Sequence, residues 1–197
     1  MNPTTRICVF CGSKSGEKPV FADSARSLGA EIARRGHGLV FGAWNIGLMN
    51  IVANEVLHHG GHVTGVIPQS MVRVGLEHRE LQDLRVVKTM HERKALMVAL
   101  SNGFVALPGG LGTFEELLEV FTWLQLGIHR NGVGILNVDG YYDSLLELFK
   151  RAVGEGFLAS VYADTLIVED NPTTLLDRIE NYSPPENVQT KLEWEDL

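Results

Sequence analysis

The 197-residue sequence predicts an α/β fold, a single Rossmann-like domain with a mostly parallel sheet and helices on both faces. Three observations carry that expectation. Short apolar runs alternate with stretches of helical period along the chain. Glycine-rich loops join several of the runs to the helices that follow. No repeat, low-complexity tract or linker divides the chain, and one domain is the prior at this length. Alternating strands and helices imply parallel strands covered on both faces, with the strand-to-helix loops gathered at one rim.

In order, residues 6–11 read as the first strand, followed by the loop Gly12-Ser13-Lys14-Ser15-Gly16. A helix over 19–35 carries Val20, Ala25, Leu28 and Ile32 and ends at Gly36. The second strand is 38–41, then a loop over 42–47, a helix over 48–59 stopped by Gly60-Gly61, and a third strand over 63–67. Residues 68–84 read as an irregular or partly helical charged loop over the site, with a short strand over 85–87 and a helix over about 90–101 beyond it. Residues 104–107 form a buried strand that Pro108, Gly109, Gly110 and Gly112 break into a tight loop. After Thr113 the spacing turns helical, with Phe114, Leu117, Leu118, Phe121 and Leu124 on one face. A strand over 132–138, a helix over 141–153 and a last strand over 166–168 follow. Asn171 caps a final helix with Pro172 at its first position. The domain is expected to span 1–182, with residues 183–197 an acidic, mobile tail unless Leu192 and Trp194 dock.

Composition excludes several classes. The net charge of −7 argues against a nucleic-acid surface, which needs a basic patch. No apolar run approaches the about 20 residues of a membrane span, and the N-terminus lacks a signal-peptide pattern. A soluble cytoplasmic protein is expected. Cys8 and Cys11 have C-x-x-C spacing but no second pair to complete a zinc site, which favours a packing role. His58, His59 and His62 also lack zinc spacing and read as surface residues.

The glycine loop ahead of the helix after Thr113 is the centre of the chemistry. Free backbone N–H groups and the helix dipole make such a loop a phosphate site. The dinucleotide pattern G-x-G-x-x-G is absent after the first strand, and so is the P-loop pattern ending in G-K-[ST]. Thr89 to Glu92 fits a capping box, placing Arg93 and Lys94 near a helix start. Arg93 shares a face with Leu96, Met97 and Leu100, where a cation needs an anionic partner. A structural ion pair and a ligand contact both satisfy that need. Thr113 to Glu116 fits a second capping box, so Glu116 reads either as a cap or as a carboxylate at the site. Topology favours the second, because Arg93 and Glu116 both follow strands and start from one rim. Glu77, His78, Arg79 and Glu80 read as a solvated loop or a lid, the solvated loop being favoured. Trp123, Leu126 and Ile128 widen the apolar surface of their helix and point to a subunit interface.

The segments PGGLGTFEE (108–116), MHERK (90–94) and CGSKSG (11–16) resemble the LONELY GUY (LOG) family, cytokinin riboside 5′-monophosphate phosphoribohydrolases once labelled lysine decarboxylases. The similarity extends through VDGYYDSLLEL (138–148) to the final helix. It implies a Rossmann-like homodimer that hydrolyses the N-glycosidic bond of a nucleoside 5′-monophosphate such as AMP, with no metal or redox cofactor. By resemblance, Gly109, Gly110, Gly112 and Thr113 hold the 5′-phosphate, Arg93 and Glu116 are the catalytic pair, and Ser13, Met90 and Lys94 line the nucleotide pocket. The chain departs from the family's YGGGxxGLMG: Ala43, Trp44 and Asn50 stand where glycines are usual. Trp44 either covers a neighbour in a repacked loop or relines the pocket and changes the accepted base. Two rivals follow. One is a nucleotide-binding or sensing module whose catalysis the Ala43-Trp44 loop has weakened. The other is amino-acid decarboxylation through a lysine Schiff base.

Overall fold

The computed structural model describes residues 3, 5–73, 75–81 and 83–185. The expectation for the tail, with Leu192 and Trp194, lies outside the described residues from 186 onward. Among the described residues there are seven strands, β1 (Arg6–Phe10), β2 (Gly38–Phe41), β3 (His62–Pro68), β4 (Asp83–Val87), β5 (Gly103–Ala106), β6 (Gly132–Leu136) and β7 (Ile167–Glu169). They form one sheet in the order β4-β3-β2-β1-β5-β6-β7, with every pairing parallel. The chain runs outward from β1 to β4, then returns to place β5 against the other side of β1. That reversal is a topological switch point, and the crevice beyond the carboxyl ends of β1 and β5 is where such sheets bind ligands.

The helices are α1 (Pro19–Arg34), α2 (Gly47–His58), α3 (Gln69–Val72), α4 (Met90–Ala99), α5 (Leu111–Leu126), α6 (Asp143–Gly154), α7 (Ser160–Ala163) and α8 (Pro172–Glu180). Strand alternation divides the core in two. Ile7, Val9, Val105 and Leu107 face a layer with Leu28 and Ile32 of α1, Val52 and Val56 of α2, and Leu175 and Ile179 of α8. Cys8, Phe10, Phe104 and Ala106 face Met97 of α4 and Leu117, Val120 and Leu124 of α5, with Phe149 of α6 packed against them. Both thiols are free and buried, and burial pushes both above the ordinary thiol value.

Four expectations are corrected. Residues 68–84, expected to be irregular or partly helical, do hold a short helix, α3, but their ends belong to the sheet: β3 runs through Pro68 and β4 starts at Asp83. Pairing of β4 along β3 supplies the backbone partners that local sequence did not disclose. Residues after 136 leave the sheet as a 3₁₀ turn at Val138–Gly140, so α6 begins later than the apolar spacing implied. α5 begins at Leu111, ahead of Thr113, with Gly110 as its cap. Ile128 is buried in the protein's own core and Trp123 packs against it, leaving Leu111, Leu118 and Leu126 as the exposed large apolar residues of α5. No helix among the described residues is long and apolar enough to cross a membrane.

Candidate active site

Three loops meet at the switch point and are stitched by backbone hydrogen bonds. Gly12 N–H donates to the Pro108 carbonyl and Leu48 N–H donates to the Gly12 carbonyl, each at 3.0 Å. Gly109 is needed for close approach: a Cβ there would lie 2.1 Å from Thr113 Oγ1 and 2.9 Å from Gly12 N. Its carbonyl accepts from the Tyr141 hydroxyl, while Tyr142 reaches the Leu107 carbonyl from the buried side.

Because α5 starts at Leu111, the N–H groups of its first turn have no intrahelical acceptor, and no side chain caps them. No acidic residue occupies that turn either, so the dipole there is uncompensated. The capping box read at Thr113 is therefore not formed. Thr113 is the third residue of the helix and Glu116 lies a turn further in, where it meets α4.

At α4 the expected capping box is present. Thr89 Oγ1 accepts from Glu92 N–H at 3.1 Å, and the Glu92 carboxylate accepts from Lys88 N–H at 2.9 Å, one residue earlier than the usual reciprocal bond. This start sets Arg93 against α5. Its Nη1 donates to Glu116 Oε1 at 2.8 Å and its Nε to the Val66 carbonyl at 3.1 Å. Met90 Sδ accepts a further contact from Nη1 at 3.4 Å. The side chains of Arg93 and Glu116 are only 9% and 12% exposed, so the pair is shielded from bulk water. Burial pushes the Glu116 carboxyl above its ordinary value, and the Arg93 guanidinium pulls it the other way without cancelling the rise.

The pair opens into a cleft of about 380 Å³ that Ser13, Met90, Gly110, Gly112, Thr113, Trp44, Met49 and Met71 also line. Of the residues expected at the site, the structure thus brings together Arg93, Glu116, Ser13, Met90, Gly110, Gly112 and Thr113. Gly109 lines the adjoining cleft, which shares Ser13 and Gly110 with the first. Lys94 is not among the residues lining either cleft. Its ammonium is held by Glu119, at 2.8 Å, and by Glu115. Burial lowers the lysine pKa, but these two carboxylates outweigh it and hold Lys94 above its ordinary value.

Sequence reasoning missed Gly42, Met49 and Met71. A Cβ on Gly42 would stand 2.2 Å from Arg93 Nη2, so the missing side chain is the room the guanidinium occupies. Its position at the end of an apolar strand, in the stretch that resembles YGGGxxGLMG, was the available signal. Residues 77–80 are expected as a solvated loop or a lid, the solvated loop being favoured, but residues 76–78 instead form a strap against the turn over 43–45. His78 is 4% exposed, its N–H donates to the Ala43 carbonyl at 2.8 Å, and Nε2 bonds Asn54 Oδ1 at 2.8 Å. Arg79 and Glu80 remain exposed. Among the described residues, no group of three or more His, Cys, Asp or Glu is arranged to hold a metal ion.

The sheet order and the cleft at its switch point define a Rossmann-like α/β protein. Solved structures agree on the fold. A molybdenum cofactor binding protein from Rippkaea orientalis superposes with a TM-score of 0.68 at 20% identity, covering 91% of this chain and 96% of that one. The Moco carrier protein from Chlamydomonas reinhardtii gives 0.68 at 19% identity, over 91% and 96%.

The chain belongs to the LOG family, whose model, described as "Possible lysine decarboxylase", matches residues 49–179. The cytokinin riboside 5′-monophosphate phosphoribohydrolase LOG4 of Arabidopsis thaliana is 49% identical over 96% of this chain and 89% of its own length. LOG7 of the same plant, which bears the same enzyme name, is 45% identical over 98% of this chain and 89% of its own length.

Proposed function

We propose that this protein is a nucleoside 5′-monophosphate phosphoribohydrolase, releasing a free base and ribose 5-phosphate from a cytokinin riboside monophosphate or AMP. The observation that carries this reading is the buried Arg93–Glu116 pair at 2.8 Å, in one cleft with the uncapped start of α5. The activity named for the relatives supplies the reaction class.

The free N–H groups at the start of α5 and the Thr113 hydroxyl receive the 5′-phosphate, with Gly109 holding the loop in place. Phosphate binding positions the sugar, so an unphosphorylated nucleoside reacts poorly. Scission of the C1′–N bond leaves a cation-like sugar that a nearby carboxylate stabilises. Glu116 takes that role and accepts the proton of the attacking water as its oxygen bonds to C1′. The electron pair of the broken bond leaves with the base. The direction of the Glu116 shift, upward through burial, suits a group that must accept a proton and release it again. Arg93 orients Glu116 through a fixed hydrogen bond. Lys94 acts at one remove, keeping Glu115 and Glu119 in place on α5.

Incubation with AMP and with isopentenyladenosine 5′-monophosphate, followed by chromatography of the free base, tests the reading. Release of base from either supports it, and a folded protein that releases none from both overturns it. Glu116→Gln is expected to abolish turnover and leave nucleotide affinity within a few-fold, on the order of the effects seen when a transition-state interaction alone is removed.

A binding or sensing module is the second reading, because Trp44, which stands at a glycine of the pattern this chain resembles, lines the cleft. It predicts AMP binding without product. Amino-acid decarboxylation is disfavoured by the charged, doubly paired Lys94, since a Schiff base starts from a neutral amine. We further propose a cytoplasmic homodimer. Leu118, Leu126, Leu148 and Phe157 are exposed apolar residues available to a second copy, and sedimentation that returns a monomer removes this part.

A further inference from the structure

Resting on that reading of the cleft, we propose that Tyr141 is a positioning residue of the phosphate loop: its hydroxyl holds the Gly109 carbonyl and so presents the Gly110 N–H to the 5′-phosphate. Three successive carbonyls of the loop are pinned by donors from elsewhere. Leu107 accepts from the Tyr142 hydroxyl at 2.7 Å, Pro108 from Gly12 N–H at 3.0 Å, and Gly109 from the Tyr141 hydroxyl. The carbonyl and N–H of one trans peptide lie in a plane and point opposite ways. Whatever holds the Gly109 oxygen therefore also directs the Gly110 N–H, one of the four donors that the start of α5 leaves without an intrahelical acceptor.

This peptide needs an external hold because a glycine stands on each side of it, and glycine gives the backbone little preference of its own. Tyr141 is itself fixed before it supplies that hold. Its ring meets Phe21 of α1 edge-on, with centroids 5.9 Å apart, and stacks with Phe114 of α5 at 6.4 Å. The turn that carries it sets Asp139 at a left-handed φ of 52°, and the Asp139 carboxylate pairs with Lys18 ahead of α1. Such a conformation costs energy in any residue but glycine and is kept where it serves a site. The VDGYY stretch thus has a use beyond packing.

The two neighbouring tyrosines divide the work. Tyr142 is 1% exposed, and the peptide it holds ends in the Pro108 nitrogen, which has no hydrogen to direct. Its bond satisfies a buried carbonyl and serves stability. Tyr141 is 40% exposed and lines the cleft that shares Ser13 and Gly110 with the Arg93–Glu116 cleft. Water can replace its hydroxyl on the Gly109 oxygen, so its bond adds little to stability, but water fixes no direction.

Binding decides the matter without reference to turnover. Nitrogen-15-labelled protein is titrated with ribose 5-phosphate and with AMP while the Gly110 amide is followed by NMR, and thermal melts are recorded alongside. In the parent protein both ligands should move that resonance. Tyr141→Phe keeps the ring and removes the donor. It should shift the Gly110 amide in the free protein, weaken both ligands about tenfold, roughly one hydrogen bond to a charged group, and leave the melt unchanged. Tyr142→Phe should do the reverse, lowering the melting temperature at unchanged affinity. Parental affinity in Tyr141→Phe, or a Gly110 amide that does not respond to saturating ligand, overturns the proposal. So does a loss of affinity equal in the two variants, which marks a general effect on the fold, or a parent protein that binds neither ligand. Binding that depends on the Tyr141 hydroxyl, with no base released from any nucleotide, instead leaves the positioning role standing and removes the phosphoribohydrolase reading.

Discussion

A hydrogen atom on Gly42 stands where a methyl group would press on Arg93 Nη2 at 2.2 Å. Gly42→Ala should therefore displace the guanidinium without unfolding the sheet. Misplacing a catalytic group by about 1 Å costs on the order of 100-fold, and kcat/KM beside an unchanged thermal melt checks it. Arg93→Ala has a different signature. It strands a buried carboxylate, and breaking a buried pair in this way costs roughly 3–5 kcal/mol. Glu116 already titrates above its ordinary value in the folded protein. The folded state thus binds this proton more tightly than the unfolded chain, and stability falls as pH rises through the window between the two values. Removing Arg93 enlarges that loss. The destabilisation should be larger at about pH 8 than at about pH 5, where more of Glu116 is protonated, and urea melts at both values decide it.

At the scale of elements, the start of α5 works because it is left bare. Gly110 caps without a side chain, the first turn holds no acid, and a Cβ at Gly112 would meet open space. Gly112→Asp should then act with opposite signs on stability and binding. The helix gains about 0.3–1 kcal/mol from an acid near its N-terminus, while the same charge repels a phosphate. A higher melting temperature with weaker AMP binding is the expected result; tighter AMP binding would remove the phosphate from this helix start. The two capping boxes show how far local sequence reaches. At Thr89 the motif, the helix start and the side-chain bonds coincide. At Thr113 the same motif lies inside a helix that began earlier, because packing of Gly109 against Gly12 set the loop's exit. A four-residue pattern holds no information about that distant contact.

Across the whole molecule, α1 and α8 are tied by an ion cluster that no short motif announces. Arg35 Nη1 and His37 Nε2 both reach Glu180 Oε1 at 2.7 Å, and Glu31 accepts from Arg34 and Arg35. The hydrogen bond from Arg34, opposed by burial and reinforced by Arg35, lowers Glu31 from 4.5 to about 2. Its stabilisation is complete above the unfolded value of 4.5 and is lost as pH falls towards about 2. Glu31→Gln should flatten the acid limb of the stability curve between those values, and a melt series that superposes on wild type contradicts the assignment.

The sequence by itself determined the alternation of strands and helices, the glycine loop before α5, the start of α4 and the residue types of the Arg93–Glu116 pair. Each of these is written in neighbouring residues, through apolar period, backbone permissiveness or capping. Only the tertiary structure decided that Glu116 meets Arg93 instead of capping its own helix and that Lys94 turns away from the cleft. It also decided that the strap over 76–78 closes on the Ala43 turn and brings Glu77 beside Trp44. Those outcomes depend on which strands lie side by side, and in a parallel sheet that pairing joins residues far apart in the chain. Hydrophobic patterning says that a face is buried, but the partner that covers it is chosen by the packing of the whole.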